Sequence, residues 1–92
     1  MIVWKFPFKV QDNVQITMPV GARILHVGEQ GDPMMITFWV LCDPNAQNEQ
    51  RFFQVRGTGH DTGELIDLDG DYIGTVTTKP MPLVWHVWEV KP

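Results

Sequence analysis

A nine-residue apolar run, from Met34 to Cys42, constrains this chain more than any other stretch. If the run is a strand, alternate side chains point to opposite faces, and both faces are apolar. Its β-branched and aromatic residues favour a strand over a helix, and turn residues bracket it at Gly31–Pro33 and Asp43–Asn45. The sequence therefore predicts that this run is the central strand of a small β domain.

Six further stretches have the alternation and the turn boundaries of strands. Their approximate bounds are Ile2–Phe8, Val14–Met18, Ala22–Val27, Phe52–Arg56, Tyr72–Thr78 and Leu83–Val90. Pro7 has no amide hydrogen to donate, which favours a sheet edge for the first strand. The pattern predicts an all-β protein, built as a small antiparallel sandwich or partly closed barrel of six to seven strands.

Two of these strands carry more specific expectations. Simple alternation predicts that one face of the third strand carries Arg23, Leu25 and Val27, and that the opposite face carries Ile24 and His26. The last strand is apolar on both faces, so it is expected beside the central strand or inside an oligomer interface. The polar stretch 43–50 is interpreted as a surface loop.

Composition narrows the function classes. The 92 residues make one domain, 1–92, and a chain this short gains stability from forming a homo-oligomer. A net charge of −4 argues against a duplex nucleic acid partner. No apolar run is long enough for a membrane span and the N-terminus lacks a signal peptide, so we expect a cytoplasmic protein with no membrane partner. The single Cys42 is expected to be a buried thiol.

The first candidate site is Arg56-Gly57-Thr58-Gly59-His60, after the fifth strand. Two glycines around a threonine let backbone amides approach a ligand closely. Arg56 is then placed to pair with a phosphate, while Thr58 and His60 add hydrogen bonds. The segment has neither the Lys-Ser/Thr ending of a Walker loop nor the dinucleotide fingerprint. The competing interpretation is a glycine-rich strand exit without a ligand.

The second candidate is Trp85-His86-Val87-Trp88 in the last strand. His86 and Trp88 share a face, where they form a surface on which a base or purine ring could stack. The competing interpretation is core packing. The predicted ligand-binding set is therefore Arg56, Thr58, His60, His86 and Trp88.

Metal and catalytic chemistry have weaker support. Asp67-Leu68-Asp69-Gly70-Asp71 does not fit the calcium-loop template, because its glycine falls at the fourth place and its twelfth position is Thr78. The three histidines lie on different predicted elements without zinc-ligand spacing. The chain has no serine, and Cys42 has no nearby base in sequence, so we expect no catalytic nucleophile. On these grounds together we expect no metal, no cofactor and no catalytic residues. A small hydrolase using His60 and Asp61 is the enzyme alternative.

Five motifs together resemble a family of short uncharacterised proteins from phages and prophages. They are WKFP at Trp4–Pro7, MPVGARIL at Met18–Leu25, RGTGH at Arg56–His60, YIGT at Tyr72–Thr75 and LVWHVWE at Leu83–Glu89. The similarity spans nearly the whole chain. The resemblance implies a phage accessory factor, acting in the cytoplasm of the infected host cell by binding and blocking a host component. It assigns no catalytic residue.

The leading hypothesis is a non-catalytic phage protein that inhibits host defence by sequestering a small nucleotide-derived signalling molecule. One alternative is a protein–protein inhibitor that docks on a host defence protein through exposed aromatics and the acidic loop 61–71, whose charge would steer it toward a basic surface. Another alternative is a minor virion structural protein.

Overall fold

The computed structural model describes residues 1–62 and 70–91, which form seven β-strands. These are β1 (Ile2–Lys9), β2 (Asn13–Pro19), β3 (Arg23–Gly28), β4 (Met35–Cys42), β5 (Asn48–Gly57), β6 (Asp71–Thr77) and β7 (Val84–Val90). Within the described ranges, no helix is long and apolar enough to cross a membrane. Most of the predicted acidic loop, residues 63–69, lies outside the described residues.

Two antiparallel sheets make up the fold. One has three strands in the order β1-β4-β3, and the other has four in the order β2-β5-β7-β6. The prediction of a small antiparallel β-sandwich is confirmed. The apolar run is the central strand of the three-stranded sheet, and Pro7 lies on its edge strand, as expected.

The core lies between the inner faces of the two sheets. Phe38 of β4 is fully buried, and its ring centroid lies 4.9 Å from that of Phe8 and 4.8 Å from that of Phe53. These three tilted rings come from β1, β4 and β5, so they join one sheet to the other. Val40 and Val87 are also fully buried beside them. Burying such side chains contributes about 1.5–3 kcal/mol each.

A close backbone approach closes one side of the sandwich, where β3 packs against β6. Gly74 of β6 has no side chain here, and a Cβ at this position would lie only 2.8 Å from Val27 Cγ1. Glycine is therefore required at position 74 for β3 and β6 to come this near.

Both strands at this junction contain a β-bulge. In β3 the register shifts between Ile24 and His26, so the predicted alternation there is wrong. Val27 faces the core, whereas Arg23 and His26 share the outer face with Leu41 and Trp39. The physical reason is that a bulge adds one residue to the strand and reverses the facing of every residue beyond it.

Two further expectations differ from the structure. Asn48–Gln50 is strand rather than loop, because these polar residues pair with Thr17–Pro19 of β2 through backbone hydrogen bonds. The last strand, β7, does not lie beside β4. It is an interior strand of the other sheet, between β5 and β6, where Val87 faces the core and His86 and Trp88 face outward.

An ion pair lies at one end of the sandwich. Arg51 of β5 donates from Nε and Nη2 to the two carboxylate oxygens of Glu89, at 2.6 and 2.7 Å, and from Nη1 to the carbonyl of Ala22. The hydrogen bond to Glu89 is the main cause that raises the pKa of Arg51 above its ordinary value, against the opposing effect of burial. The side chains are only 16% and 23% exposed, so the pair is partly shielded from water. The hydrogen bond from Arg51 to Ala22 connects β5 to the chain segment before β3.

We expect Glu89→Ala to lower the free energy of unfolding by about 2 kcal/mol, because it leaves a partly buried guanidinium without its carboxylate. Urea denaturation followed by tryptophan fluorescence measures the change. Glu49→Gln is the matched control, since Glu49 is exposed and Gln can still accept the hydrogen bond from the Gly21 amide. Equal losses in the two variants would contradict a specific role for the Arg51–Glu89 pair.

We expect Gly74→Ala to destabilise the protein by about 1–3 kcal/mol, because the new methyl group overlaps Val27. A double-mutant cycle with Val27→Ala tests the cause by urea denaturation. Because the second substitution removes the overlapping atom, the two losses should fail to add by about 0.5 kcal/mol or more. Additive losses would show that the two strands move apart instead.

Candidate functional site

The candidate ligand-binding surface is on the outer face of the four-stranded sheet. His86 and Trp88 of β7 point outward there, while Val87 between them is buried in the core. Neighbouring strands contribute Thr75 and Tyr72 from β6, which pair with His86 and Trp88 respectively. Together with Thr58 these four residues form what we name the His86 cluster.

Both ring nitrogens of His86 have hydrogen-bond partners within this cluster. Nε2 lies 2.7 Å from Thr58 Oγ1, and Nδ1 lies 2.9 Å from the Tyr72 hydroxyl and 3.2 Å from Thr75 Oγ1. The Tyr72 and Thr75 hydroxyls are also hydrogen-bonded to each other. Hydroxyl groups both donate and accept, so the cluster satisfies either tautomer of a neutral imidazole and fixes the plane of its ring.

Aromatic rings surround this hydrogen-bonded centre. The Tyr72 ring meets Trp88 edge-on with centroids 5.1 Å apart, and the His86 ring lies 6.3 Å from each of them. Tyr72 is 49% exposed, while His86 and Trp88 are half-buried. Three rings held at fixed angles, with hydroxyl groups between them, suit the recognition of a flat ring by stacking and by hydrogen bonds at its edge.

Tyr72 and Thr75 were missed by the sequence interpretation, although Tyr72 begins a predicted strand. They are three residues apart, a spacing that places two residues on opposite faces of a regular strand. The bulge in β6 between Tyr72 and Gly74 brings both onto the outer face. The visible signal was the motif Tyr72–Thr75, whose two hydroxyl residues flank an isolated glycine, and such a glycine within a strand pattern suggests a bulge.

Arg56 lies beside His86 in the ladder, but its guanidinium already donates to two backbone carbonyls. Nη1 donates to the carbonyl of Asp12 at 2.8 Å and to that of Val55 at 2.9 Å, and the residue is only 7% exposed. The Arg56 guanidinium therefore ties the β1–β2 turn to β5. In this position it is not presented to solvent as a free phosphate ligand.

The segment after β5 forms a tight turn whose glycines both have structural reasons. A Cβ on Gly57 would lie only 2.7 Å from the His60 ring, so a larger residue would collide with it. Gly59 has a φ of 87°, which favours glycine. The amide of Thr58 donates to the carbonyl of Val84, and that of His60 donates to Gly57. These two amides are therefore used within the fold rather than directed at a ligand.

The turn also separates two of the predicted site residues. Thr58 reaches His86 on the outer face of the sheet, whereas the His60 ring packs against the inner side of Gly57, which pairs with Trp85. Of the predicted set, the structure brings together Thr58, His86 and Trp88. It places Arg56 beside His86 in the ladder, bound to backbone carbonyls, and His60 on the other side of the strand.

The histidines do not converge on one metal site. His26 is on the outer face of the three-stranded sheet, and His86 is on the outer face of the four-stranded sheet. Within residues 1–62 and 70–91, no three His, Cys, Asp or Glu side chains are grouped as metal ligands. Cys42 is buried, as the sequence predicts, and faces the core.

A family model described as Domain of unknown function (DUF7352) matches residues 1–92, the whole chain. The protein belongs to this family. No curated protein and no solved structure gives a significant match to the sequence or fold. Any function for this DUF7352 protein must therefore be argued from its own residues.

We expect Arg56→Lys to cost about 1–3 kcal/mol of folding free energy, because an ammonium group cannot reproduce the geometry of the guanidinium between two carbonyls. Thermal and urea denaturation measure this loss. Arg23→Lys is the control, since Arg23 is exposed and the substitution keeps the charge. A stable Arg56→Lys variant would return Arg56 to consideration as a ligand-binding cation.

Proposed function

We propose that this protein is a phage accessory protein without catalytic chemistry, which inhibits host defence by sequestering a small nucleotide-derived signalling molecule in the host cytoplasm. The ligand's base binds at the His86 cluster. The observation that carries the proposal is His86 itself, hydrogen-bonded at both ring nitrogens and flanked by Tyr72 and Trp88 on an outer sheet face.

The chemistry of the cluster favours recognition of a base over recognition of a phosphate. Its members are aromatic rings, an imidazole and hydroxyl groups, and these stack on a heterocycle or bond to its edge. The nearest buried cation, Arg56, already donates to two carbonyls. Binding through the base therefore predicts that affinity depends weakly on salt and strongly on the identity of the base.

Sequestration does not require catalytic groups, and a homo-oligomer would supply further side chains around a ligand at the His86 cluster. Native mass spectrometry of the protein as purified is the first measurement, because it reports oligomeric state and bound mass together. A discrete oligomer that carries a nucleotide-sized mass supports the proposal. Small-molecule analysis after denaturation then identifies the ligand class.

We expect Trp88→Ala to weaken binding of the released or best-binding nucleotide by about tenfold or more, since stacking on an aromatic ring contributes about 1–3 kcal/mol per base. Isothermal titration against cyclic oligonucleotides and ADP-ribose derivatives provides the assay. Trp4→Ala is the matched control, because Trp4 is a partly exposed tryptophan on β1 of the other sheet, away from the His86 cluster. Neither heat nor a thermal shift with any compound would contradict the small-ligand function.

A second candidate function is inhibition of a host protein by direct docking, and exposed apolar side chains on β1 favour it. Ile2 and Trp4 are 43% and 40% exposed, although their pairing partners on β4, Cys42 and Val40, are buried in the core. This open end of β1 presents an aromatic residue of the type that anchors protein interfaces. A stoichiometric partner lost with Trp4→Ser but retained with Val20→Ser would favour this function.

A further inference from the structure

The outer face of the three-stranded sheet collects cations in a chain whose net charge is −4. Lys5 of β1 pairs with Trp39, Lys9 pairs with Met35, and Arg23 of β3 pairs with Leu41, so all three cations share the face opposite the core. All three side chains are exposed. We name this surface, with Trp39 and His26, the cationic face.

The two arginines of β5, in the other sheet, already have partners within the fold. Arg51 is paired with Glu89, and Arg56 donates to backbone carbonyls. On the cationic face only Lys5 has a described side-chain partner, and this is the neutral Gln30, whose Oε1 accepts from Lys5 Nζ at 3.2 Å. An ammonium group has three donors, so Lys5 keeps donors for an anion.

No acidic residue occupies the paired strand positions of this face in the described structure. Acids lie in the loops that flank the strands, where Glu29, Asp32 and Asp43 each accept a hydrogen bond from a local backbone amide. The three cations are therefore not neutralised within the sheet surface. The outer face of the sheet therefore offers three cationic side chains to an anionic ligand.

Two aromatic rings lie in the middle of the cationic face. The His26 and Trp39 rings have centroids 5.4 Å apart and lean over Gly28, where a Cβ would be 3.1 Å from His26 Nε2 and 3.4 Å from Trp39 Cζ3. The absence of a side chain at Gly28 lets both rings lie close to the sheet. Trp39 is only half-buried, so part of its ring is available for stacking.

We propose that the cationic face binds single-stranded nucleic acid, with a base stacked on Trp39 and phosphates near Lys5, Lys9 and Arg23. Stacking rings bordered by cations are the chemistry by which sheet surfaces hold single strands. Lys5 and Lys9 are four residues apart on one strand, about 13 Å, so they contact separate phosphates. A duplex keeps its bases stacked inside and cannot use Trp39, and the net negative charge of the chain opposes it.

Fluorescence anisotropy with labelled oligothymidine and oligouridine of about 15 nucleotides tests this proposal. At about 50 mM salt we expect saturable binding, weakening with a log–log salt slope of about −2 for three phosphate contacts on a single strand. Binding of both polymers shows that the face recognises bases and phosphates whichever sugar is present. Preference for one polymer shows whether the ligand is DNA or RNA. A duplex of the same length should bind more weakly than either single strand.

Charge-swap variants locate the site. We expect Lys5→Glu/Arg23→Glu to weaken binding at least tenfold, while Lys79→Glu/Lys91→Glu, which changes the net charge equally but follows strands of the other sheet, leaves most of the affinity. Trp39→Ala should weaken binding about tenfold. Trp39→Phe, which keeps a stacking ring, serves as a second variant if Trp39→Ala is unstable.

Several results would overturn the proposal. They are the absence of an anisotropy change with any single strand, an equal loss in both charge-swap variants, and binding to phosphatidylglycerol vesicles but not to oligonucleotides. Dissociation of an oligomer by Lys5→Glu/Arg23→Glu, with no oligonucleotide binding by the parent protein, would assign the face to a second copy. Because the His86 cluster is on the opposite sheet, loss of nucleotide binding there leaves this test unaffected.

Discussion

Phe38 packs between Phe8 and Phe53, and this aromatic contact holds the two sheets together. All three rings are almost completely buried, so β4 must direct its large apolar side chains inward in strict alternation. The same alternation directs Trp39 and Leu41 outward. The inner packing of β4 therefore decides which side chains its outer face presents, and the chemistry of that surface follows from the core.

The two bulges have comparable consequences on the outer faces. In β3 the extra residue brings Arg23 and His26 onto the face of Trp39, and in β6 it brings Tyr72 and Thr75 onto the face of His86. Both bulges are in the strands that meet at the closed side of the sandwich, where bending is needed for the sheets to approach. The same local geometry thus shapes the fold and assembles both proposed binding surfaces.

The two outer faces differ in charge although both carry tryptophan. Around His86 the side chains are mainly aromatic rings and hydroxyl groups, and the cation beside it in the ladder, the buried Arg56, donates to backbone carbonyls. Around Trp39 three exposed cations remain without a paired acid on the strands of that sheet. The net charge of the chain describes neither surface, because it averages the cationic face with acidic residues that lie elsewhere. Charge distribution, and not net charge, determines which anions each face can hold.

Alternation and turn chemistry act locally, so the amino-acid sequence is enough to predict the number and approximate position of the strands, the central role of β4 and the burial of Cys42. It also placed His86 and Trp88 on one face. Three features could be known only from the folded protein. They are the binding of Arg56 to backbone carbonyls, the separation of His60 from Thr58, and the outward placement of Tyr72 with Thr75 and of His26. These depend on bulges and on contacts between residues distant in the chain, and neither leaves a periodic signal in the sequence.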